Sequence, residues 1–170
     1  EAFFQAATGI IFESNNYPNI AHAAFRFSAE TFPNLPSRTF RIRGRKIKLP
    51  DVAVVDKANG RVTYTGNWSG SFDNNKQWCS DPAWILYDIL TEPLAGCGIA
   101  ESFLDKFSFF KVSKYCNQLV SDGKGGLEPR FSLNVNINSQ KDALSLVRDV
   151  CAVMNSNIFF ENGEVKLSQD

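Results

Sequence analysis

The chain has 170 residues, 44% of them apolar and 21% charged, and its 18 basic side chains are balanced by 18 acidic ones. That length holds one good core or two small modules, and zero formal charge argues against a dedicated nucleic-acid binder, whose phosphate contacts need a basic excess. No apolar run approaches the ~20 residues of a bilayer span, and no basic stretch followed by an apolar one marks a signal peptide. The chain opens on Glu1 without a methionine and closes on a strand-like stretch at Asp170, which reads as a piece cut from a longer protein.

In chain order, the first part reads as strands. Ala23, Phe25 and Phe27 alternate with Ala24, Arg26 and Ser28, the period of a half-buried strand. Pro33 and Pro36 mark a loop. Phe40 and Ile42 then share a face, and Ile47 and Leu49 continue it only if the register slips by one residue at Gly44, where a bulge or bend is expected. Residues 56–60 are polar and turn-like. From Val62 to Phe72 the alternation Val62, Tyr64, Gly66, Trp68, Gly70, Phe72 predicts a long strand, or a strand pair interrupted near Asn67, with glycines that permit a bend or the close approach of another backbone.

The second part changes character. Asp81-Pro82 starts a helix running to Thr91, because aspartate accepts a bond from a free N–H of the first turn and proline at the first position loses nothing. Trp84, Ile85, Leu86, Ile89 and Leu90 supply its apolar face, and Pro93, Gly96 and Gly98 end it. Residues 102–120 predict a second helix, with Phe109, Val112, Cys116, Leu119 and Val120 on one stripe and Phe103, Phe107 and Phe110 on another. Residues 122–126 read as a flexible connector and 130–136 as a strand. Ser139 and Asp142 form an S-x-x-D start signal for a third helix, which buries Ala143, Leu146, Val147, Val150 and Met154. Asn162-Gly163, between residues 158–161 and 164–167, is the preferred pair for a tight hairpin. The expected fold class is α+β: a β-rich part over residues 1–75, then an α+β part over 76–170 with three helices and a C-terminal β-hairpin.

Candidate chemistry is sparse. His22 is the only histidine, so a Ser-His-Asp arrangement has one possible base, and it stands beside no telling motif. Cys79, Cys97, Cys116 and Cys151 contain no C-x-x-C pair, which argues against zinc; Cys116 and Cys151 fall on apolar helix faces as buried thiols. Asp88 and Glu92, four apart on one helix, are the nearest thing to the paired carboxylates of a glycosidase, against the plainer reading of solvated or capping acids. DGKGG over residues 122–126 lacks the G-x-x-x-x-G-K-[ST] spacing and the strand-to-helix context of a phosphate loop. Trp68, Trp78 and Trp84 could stack a sugar, but their phase fits a core. No cofactor and no catalytic or metal-binding residues are expected. The one charged feature with a functional reading is the basic run Arg38, Arg41, Arg43, Arg45, Lys46 and Lys48. It is a solvated sheet face, a contact surface for a neighbouring subunit, or a wall facing DNA, where attraction to the backbone needs no sequence readout.

Three blocks, PSRTFRIRGRKIKLP (residues 36–50), WCSDPAWILYDILTEPLAGCG (78–98) and YCNQLVSDGKGGLEPRF (115–131), resemble in order and spacing the central tail tip (host specificity) protein J family of lambda-like bacteriophages. The likeness runs from about Tyr17 to Asp170. It implies a non-enzymatic structural part of the tail tip, at the trimeric hub that closes the distal end of the tail, with an architecture similar to the baseplate hub of contractile tails. It also implies a virion location, with assembly in the bacterial cytoplasm. The implied partners are further copies of the chain, other tail tip proteins and the tape measure protein. A host surface receptor would be engaged through other regions, with DNA only as passing cargo. What carries over onto this sequence is structural: the Arg43-Gly44-Arg45 turn, the Asp81-Pro82-Ala83-Trp84 helix start and the connector at 123–129. A carbohydrate-binding module and, more remotely, a cell-wall hydrolase are the competing classes.

Overall fold

A computed structural model describes residues 44–137 and 142–169, together with Glu30, Asn34, Ser37, Thr39 and Ile42. The expectations for residues 23–28, for His22 and for Phe40 lie outside the described residues. Backbone contacts divide the chain into Glu1–Arg41 and Ile42–Asp170, and the second unit carries the helices and strands of the described residues.

This unit is α+β, as the periodicity predicts: three helices and three two-stranded antiparallel pairs, ending in a hairpin. Ile47 and Leu49 point inward and Lys48 outward. Their segment lies antiparallel to residues 71–77, with Ile47 and Gln77 exchanging both backbone bonds at 2.8 and 2.9 Å and Leu49 accepting from Asp73 at 2.9 Å. Strand β1 (Ala53–Val55) pairs with β2 (Val62–Tyr64), Val55 opposite Val62. The polar turn between them closes on its own side chains: the Asp56 carboxylate accepts from Ala58 N–H and the Asn59 amide oxygen from Arg61 N–H, both at 2.9 Å.

The long strand predicted from Val62 to Phe72 is not continuous. Its ladder stops at Tyr64, and a bridge from Phe72 to Pro50 resumes the pairing. Burial still alternates, with Val62, Trp68 and Gly70 inside and Thr63, Ser69 and Ser71 outside. Trp68 turns into the core and donates its ring N–H to Ser71 O, so the side-chain period outlives the hydrogen-bonded strand.

Helix α1 (Pro82–Thr91) begins on Asp81 and exits through the proline and glycines, its last carbonyls taken by Glu92, Cys97 and Ile99 N–H. The predicted helix 102–120 is shorter than expected. A single 3₁₀ turn, Glu101–Phe103, precedes it, Asp105 caps Phe107 and Ser108, and α2 spans only Lys106–Cys116. Leu119 and Val120 instead belong to β3 (Leu119–Ser121), paired with β4 (Leu127–Pro129). The helix stops because the returning chain takes carbonyls near its end: Phe131 N–H bonds Cys116 O at 3.0 Å and Arg130 N–H bonds Gln118 O at 2.8 Å. The supposed flexible connector is therefore a hairpin turn. Asp122 organises it by accepting from Lys124 and Gly126 N–H, each at 2.8 Å, which holds its carboxyl below the usual range. The strand expected at 130–136 sits earlier, at β4, and Leu133 N–H goes to Ser80 O.

Helix α3 (Ala143–Val153) opens on Asp142, which accepts from Ser145 N–H at 3.0 Å; the start signal placed at Ser139 lies outside the described residues. Val147, Val150, Cys151 and, just past the helix, Met154 are buried, while Ala143 is exposed and Leu146 half-buried. Strands β5 (Ser156–Glu161) and β6 (Glu164–Gln169) turn at Asn162-Gly163, both left-handed at φ 54° and 83°, as a tight hairpin turn requires. One apolar cluster joins Leu49, Val62 and Trp68 to Trp84, Leu86, Tyr87, Phe109, Val147 and Leu167. Its centre is aromatic: Trp68 meets Trp84 edge-on at 5.6 Å, and Tyr64 meets Phe110 at 4.6 Å.

Candidate functional site

The most organised polar group of the unit surrounds Asp81. It is 1% exposed, and it does more than cap α1. One carboxylate oxygen accepts from Ala83 and Trp84 N–H at 2.9 and 3.4 Å; the other accepts from the Ser113 hydroxyl and from the Asn117 amide at 2.6 Å. Ser113 spends its only proton on Asp81, so the Tyr64 hydroxyl donates to Ser113, and the Tyr64 oxygen in turn accepts from the Trp84 ring N–H at 2.7 Å. The result is a chain of donors, Trp84 to Tyr64 to Ser113, ending on a buried carboxylate. Asn117 extends it: its side-chain oxygen takes Val62 N–H at 2.8 Å and its backbone oxygen takes the Arg61 guanidinium at 2.9 Å. Residues from β2, from α1 and its cap, and from α2 and its end are thereby tied together, with no cation among the four donors to the carboxylate. Burial pushes the Asp81 carboxyl above its ordinary value, with the four donors pulling the other way. Burial does the same to the Tyr64 phenol, and the Asp81 charge adds to it. The sequence reading found the cap but not Tyr64, Ser113 or Asn117.

Of the basic run, Arg38, Arg41 and Arg43 lie outside the described residues. Arg45 is exposed but paired. Its guanidinium reaches α1 and bridges Asp88, at 3.1 Å, and Glu92. Lys48 pairs with Glu101 at 3.2 Å, and Lys46 is exposed. The same bridge accounts for the carboxylate pair considered for glycoside chemistry, because one guanidinium holds both acids. Burial raises the Asp88 carboxyl, and Arg45 opposes that rise.

The tryptophans are placed as core: Trp84 is fully buried, Trp68 is 7% exposed and Trp78 half-buried, which leaves no flat platform of three rings for a sugar. Cys79, Cys116 and Cys151 are buried free thiols and Cys97 is exposed; burial pushes the Cys79 and Cys116 thiols up to about 12. Among the described residues no cluster of three His, Cys, Asp or Glu could hold a metal, and no helix is long and apolar enough to cross a membrane.

A second set of cations went unnoticed in the sequence. On α2 and beside it, Lys111, Lys114, Arg61 and Arg130 make no ion pair with any described carboxylate. Arg130 stacks over the Tyr115 ring at 4.4 Å, and the Lys114 ammonium lies 4.5 Å from the Phe110 ring centre. These four are scattered over seventy residues of sequence, so no charge run announces them.

No family model matches the chain. Among curated proteins it is similar to the tip attachment protein J of Escherichia phage SECphi4, at 33% identity over 168 residues, which is 98% of this chain. It is also similar to the tip attachment protein J of Escherichia phage SECphi27, at 35% identity over 151 residues, or 87% of this chain. The chain spans only 14% and 12% of the length of these two relatives. With identity at this level over nearly the whole chain, the chain belongs to the tip attachment protein J family.

Proposed function

We propose that this chain is a structural module of a phage tail tip and forms part of the hub at the distal end of the tail. In this reading three copies surround the tail axis, contact other tip proteins and the tape measure protein, and take part in tail assembly, host attachment and genome delivery. Receptor recognition belongs to other regions of the longer protein. The observation that carries the reading is the identity to tip attachment protein J over nearly the whole chain. The interior supports it: a closed aromatic core and a self-contained polar network suit a rigid building block.

The surface of contact between subunits is proposed to include Arg38, Arg41, Arg43, Arg45, Lys46 and Lys48. Because Arg45 and Lys48 are held by Asp88, Glu92 and Glu101, their role is to fix this edge against α1 and the 3₁₀ turn, with Lys46 left to reach outward. A closed ring of identical contacts is the common solution for such a part.

The test uses the complete tail tip protein in assembled virions. An epitope placed in the exposed turn at residues 123–125 is detected by gold-labelled antibody under the electron microscope. Label at the distal tip of the tail, with three copies per virion by quantitative mass spectrometry, is the expected result. Label along the tail shaft or on the head overturns the tail-tip reading, and a copy number other than three overturns the trimer.

A further inference from the structure

We infer that Asn162-Gly163, at the tip of the β5–β6 hairpin, is a site of spontaneous covalent modification, where the asparagine amide is lost through a cyclic imide and replaced by aspartate and isoaspartate. The reaction needs an asparagine followed by a residue whose backbone nitrogen can reach it, and glycine, without a Cβ, obstructs that approach least. The Gly163 nitrogen attacks the Asn162 side-chain carbonyl carbon and gives up its proton, and the Asn162 side-chain nitrogen leaves as ammonia. Water then opens the imide at either carbonyl. One opening leaves aspartate in an unchanged backbone. The other leaves isoaspartate, with the main chain rerouted through the former side chain. Water is the only co-reactant and ammonia the only leaving group.

The fold selects this pair among three of the same kind. Asn59-Gly60, Asp122-Gly123 and Asn162-Gly163 each place a glycine after a side-chain carbonyl. Gly60 is buried and its nitrogen is committed to Asp56 O at 2.7 Å, while Gly60 O accepts from Ser80 N–H and the Asn59 side-chain oxygen from Arg61 N–H, both at 2.9 Å. The Asp122 carboxylate accepts from Lys124 and Gly126 N–H, each at 2.8 Å, which keeps it ionised, and an ionised carboxylate is a poor target for a nitrogen nucleophile. Asn162 and Gly163 are both exposed. Neither the Asn162 amide nor the Gly163 N–H is hydrogen-bonded to a described residue, and the space where a Gly163 Cβ would stand is open.

The product meets an acidic surrounding. Glu161 and Glu164 flank the turn, and Lys166 is paired with Glu161 at 2.9 Å. A new carboxylate between the two glutamates adds like charge at the hairpin tip, and the extra main-chain atom of isoaspartate breaks the two-residue turn that sets the register. Strand β6 carries the change to the start of α2, because Val165 O accepts from Asp105 N–H and Leu167 N–H donates to the Ser108 hydroxyl, both at 3.0 Å. The modification therefore loosens the hairpin against α2. None of this depends on the tail-tip reading.

The experiment ages the full chain at neutral pH and physiological temperature, folded and in urea. Conversion is followed by peptide mass spectrometry, and isoaspartate is scored by labelling with an isoaspartyl methyltransferase. In the folded chain Asn162 should convert at least roughly tenfold faster than Asn59, whose neighbouring nitrogen must first leave a buried bond. In urea the two should convert at similar rates, because the protection of Asn59 is gone. Aged folded protein should exchange amide hydrogen faster than fresh protein at Asp105 and Leu167, and the Asn162→Asp variant, which adds the charge without the extra backbone atom, should change less. An Asn162 that stays unmodified in the folded chain overturns the inference, as do equal rates at Asn59 and Asn162 there. Unchanged exchange at Asp105 and Leu167 in the aged protein overturns the link to α2.

Discussion

Replacing Asp81 is the sharpest test of how the second unit is held together. Asp81→Ala removes the cap of α1, a loss of about 1 kcal/mol. It also leaves the Ser113 hydroxyl and one Asn117 amide proton without their acceptor in a dry site, at about 1–3 kcal/mol each. The Asn117 amide keeps its bond to Ser113 O at 2.9 Å, so its share falls at the low end, and the sum is about 4 kcal/mol. For a chain of this size that lowers Tm by roughly 8–16 °C. Asp81→Asn should cost about 2 kcal/mol, because one oxygen can still cap the helix while its new N–H₂ faces the donor of Asn117. Asn117 cannot simply flip, since its oxygen holds Val62 N–H.

Urea unfolding followed by tryptophan fluorescence reads both variants, Trp84 being buried and bonded into the network. The order should be Ala worse than Asn, and a double-mutant cycle with Ser113→Ala should show coupling of about 1 kcal/mol or more. The pH dependence has a definite sign. The folded-state value of Asp81 is raised above 3.8, so the folded chain binds this proton more tightly than the unfolded chain does. The contribution is full below about 3.8 and lost as pH rises through the folded value. The penalty of Asp81→Asn therefore grows as pH falls through the folded value. A cost below about 1 kcal/mol for Asp81→Ala, or no coupling to Ser113, would refute the picture of a carboxylate that organises β2, α1 and α2 together.

Three further outcomes are expected. Gly60 sits at φ 79° with a would-be Cβ 2.8 Å from Ser80 N, whereas Gly163 at φ 83° faces open space. Gly60→Ala should thus cost about 2 kcal/mol or more and Gly163→Ala about 1 kcal/mol, read by thermal unfolding. Cys79 and Cys116 are raised from 9.0 to about 12 and Cys151 to about 11. Their stability contribution is full below pH 9 and falls above it by about 1.4 kcal/mol per pH unit for each thiol, until the folded value is passed. Urea midpoints at pH 8 and 10 should show the fall, and Cys79→Ala should flatten it by about one proton. Arg45→Met should cost only about 1 kcal/mol, because its guanidinium is partly exposed and such pairs are screened. The difference from the parent chain should shrink in 1 M NaCl.

Much of the fold was legible because it is written in short-range chemistry. Asp81-Pro82 specifies a helix start within two residues, and Asn162-Gly163 specifies a hairpin within two more. Periodicity failed where two elements share one period by accident. Leu119 and Val120 continue the stripe of Phe109, Val112 and Cys116, yet they pair as β3 with β4. The backbone bonds from Arg130 and Phe131 that end α2 come from residues twelve and fifteen positions on, beyond any local pattern. The start of α2 was legible in principle. Asp105 stands inside the apolar run and caps Phe107 and Ser108, but the flanking phenylalanines masked it.

The polar site was half legible for a deeper reason. A cap is a local bond, so one oxygen of Asp81 could be read from its neighbours. The other is committed to Ser113 and Asn117, 32 and 36 residues away. Serine and asparagine on a helix ordinarily face water, and no spacing rule separates a solvated pair from one that closes on a distant carboxylate. Burial decides between them, and burial is a property of the assembled core. The same holds for charge. Of the three described members of the conspicuous run at residues 38–48, Arg45 and Lys48 are paired with Asp88, Glu92 and Glu101, and Lys46 is exposed. The scattered cations Arg61, Lys111, Lys114 and Arg130 stand on α2 or beside it with no described carboxylate paired to them. Cationic density along a sequence is therefore a poor guide to free positive charge in this unit. What counts is which acids the fold brings opposite, and here α1, its C-terminal cap and the 3₁₀ turn supply them to Arg45 and Lys48.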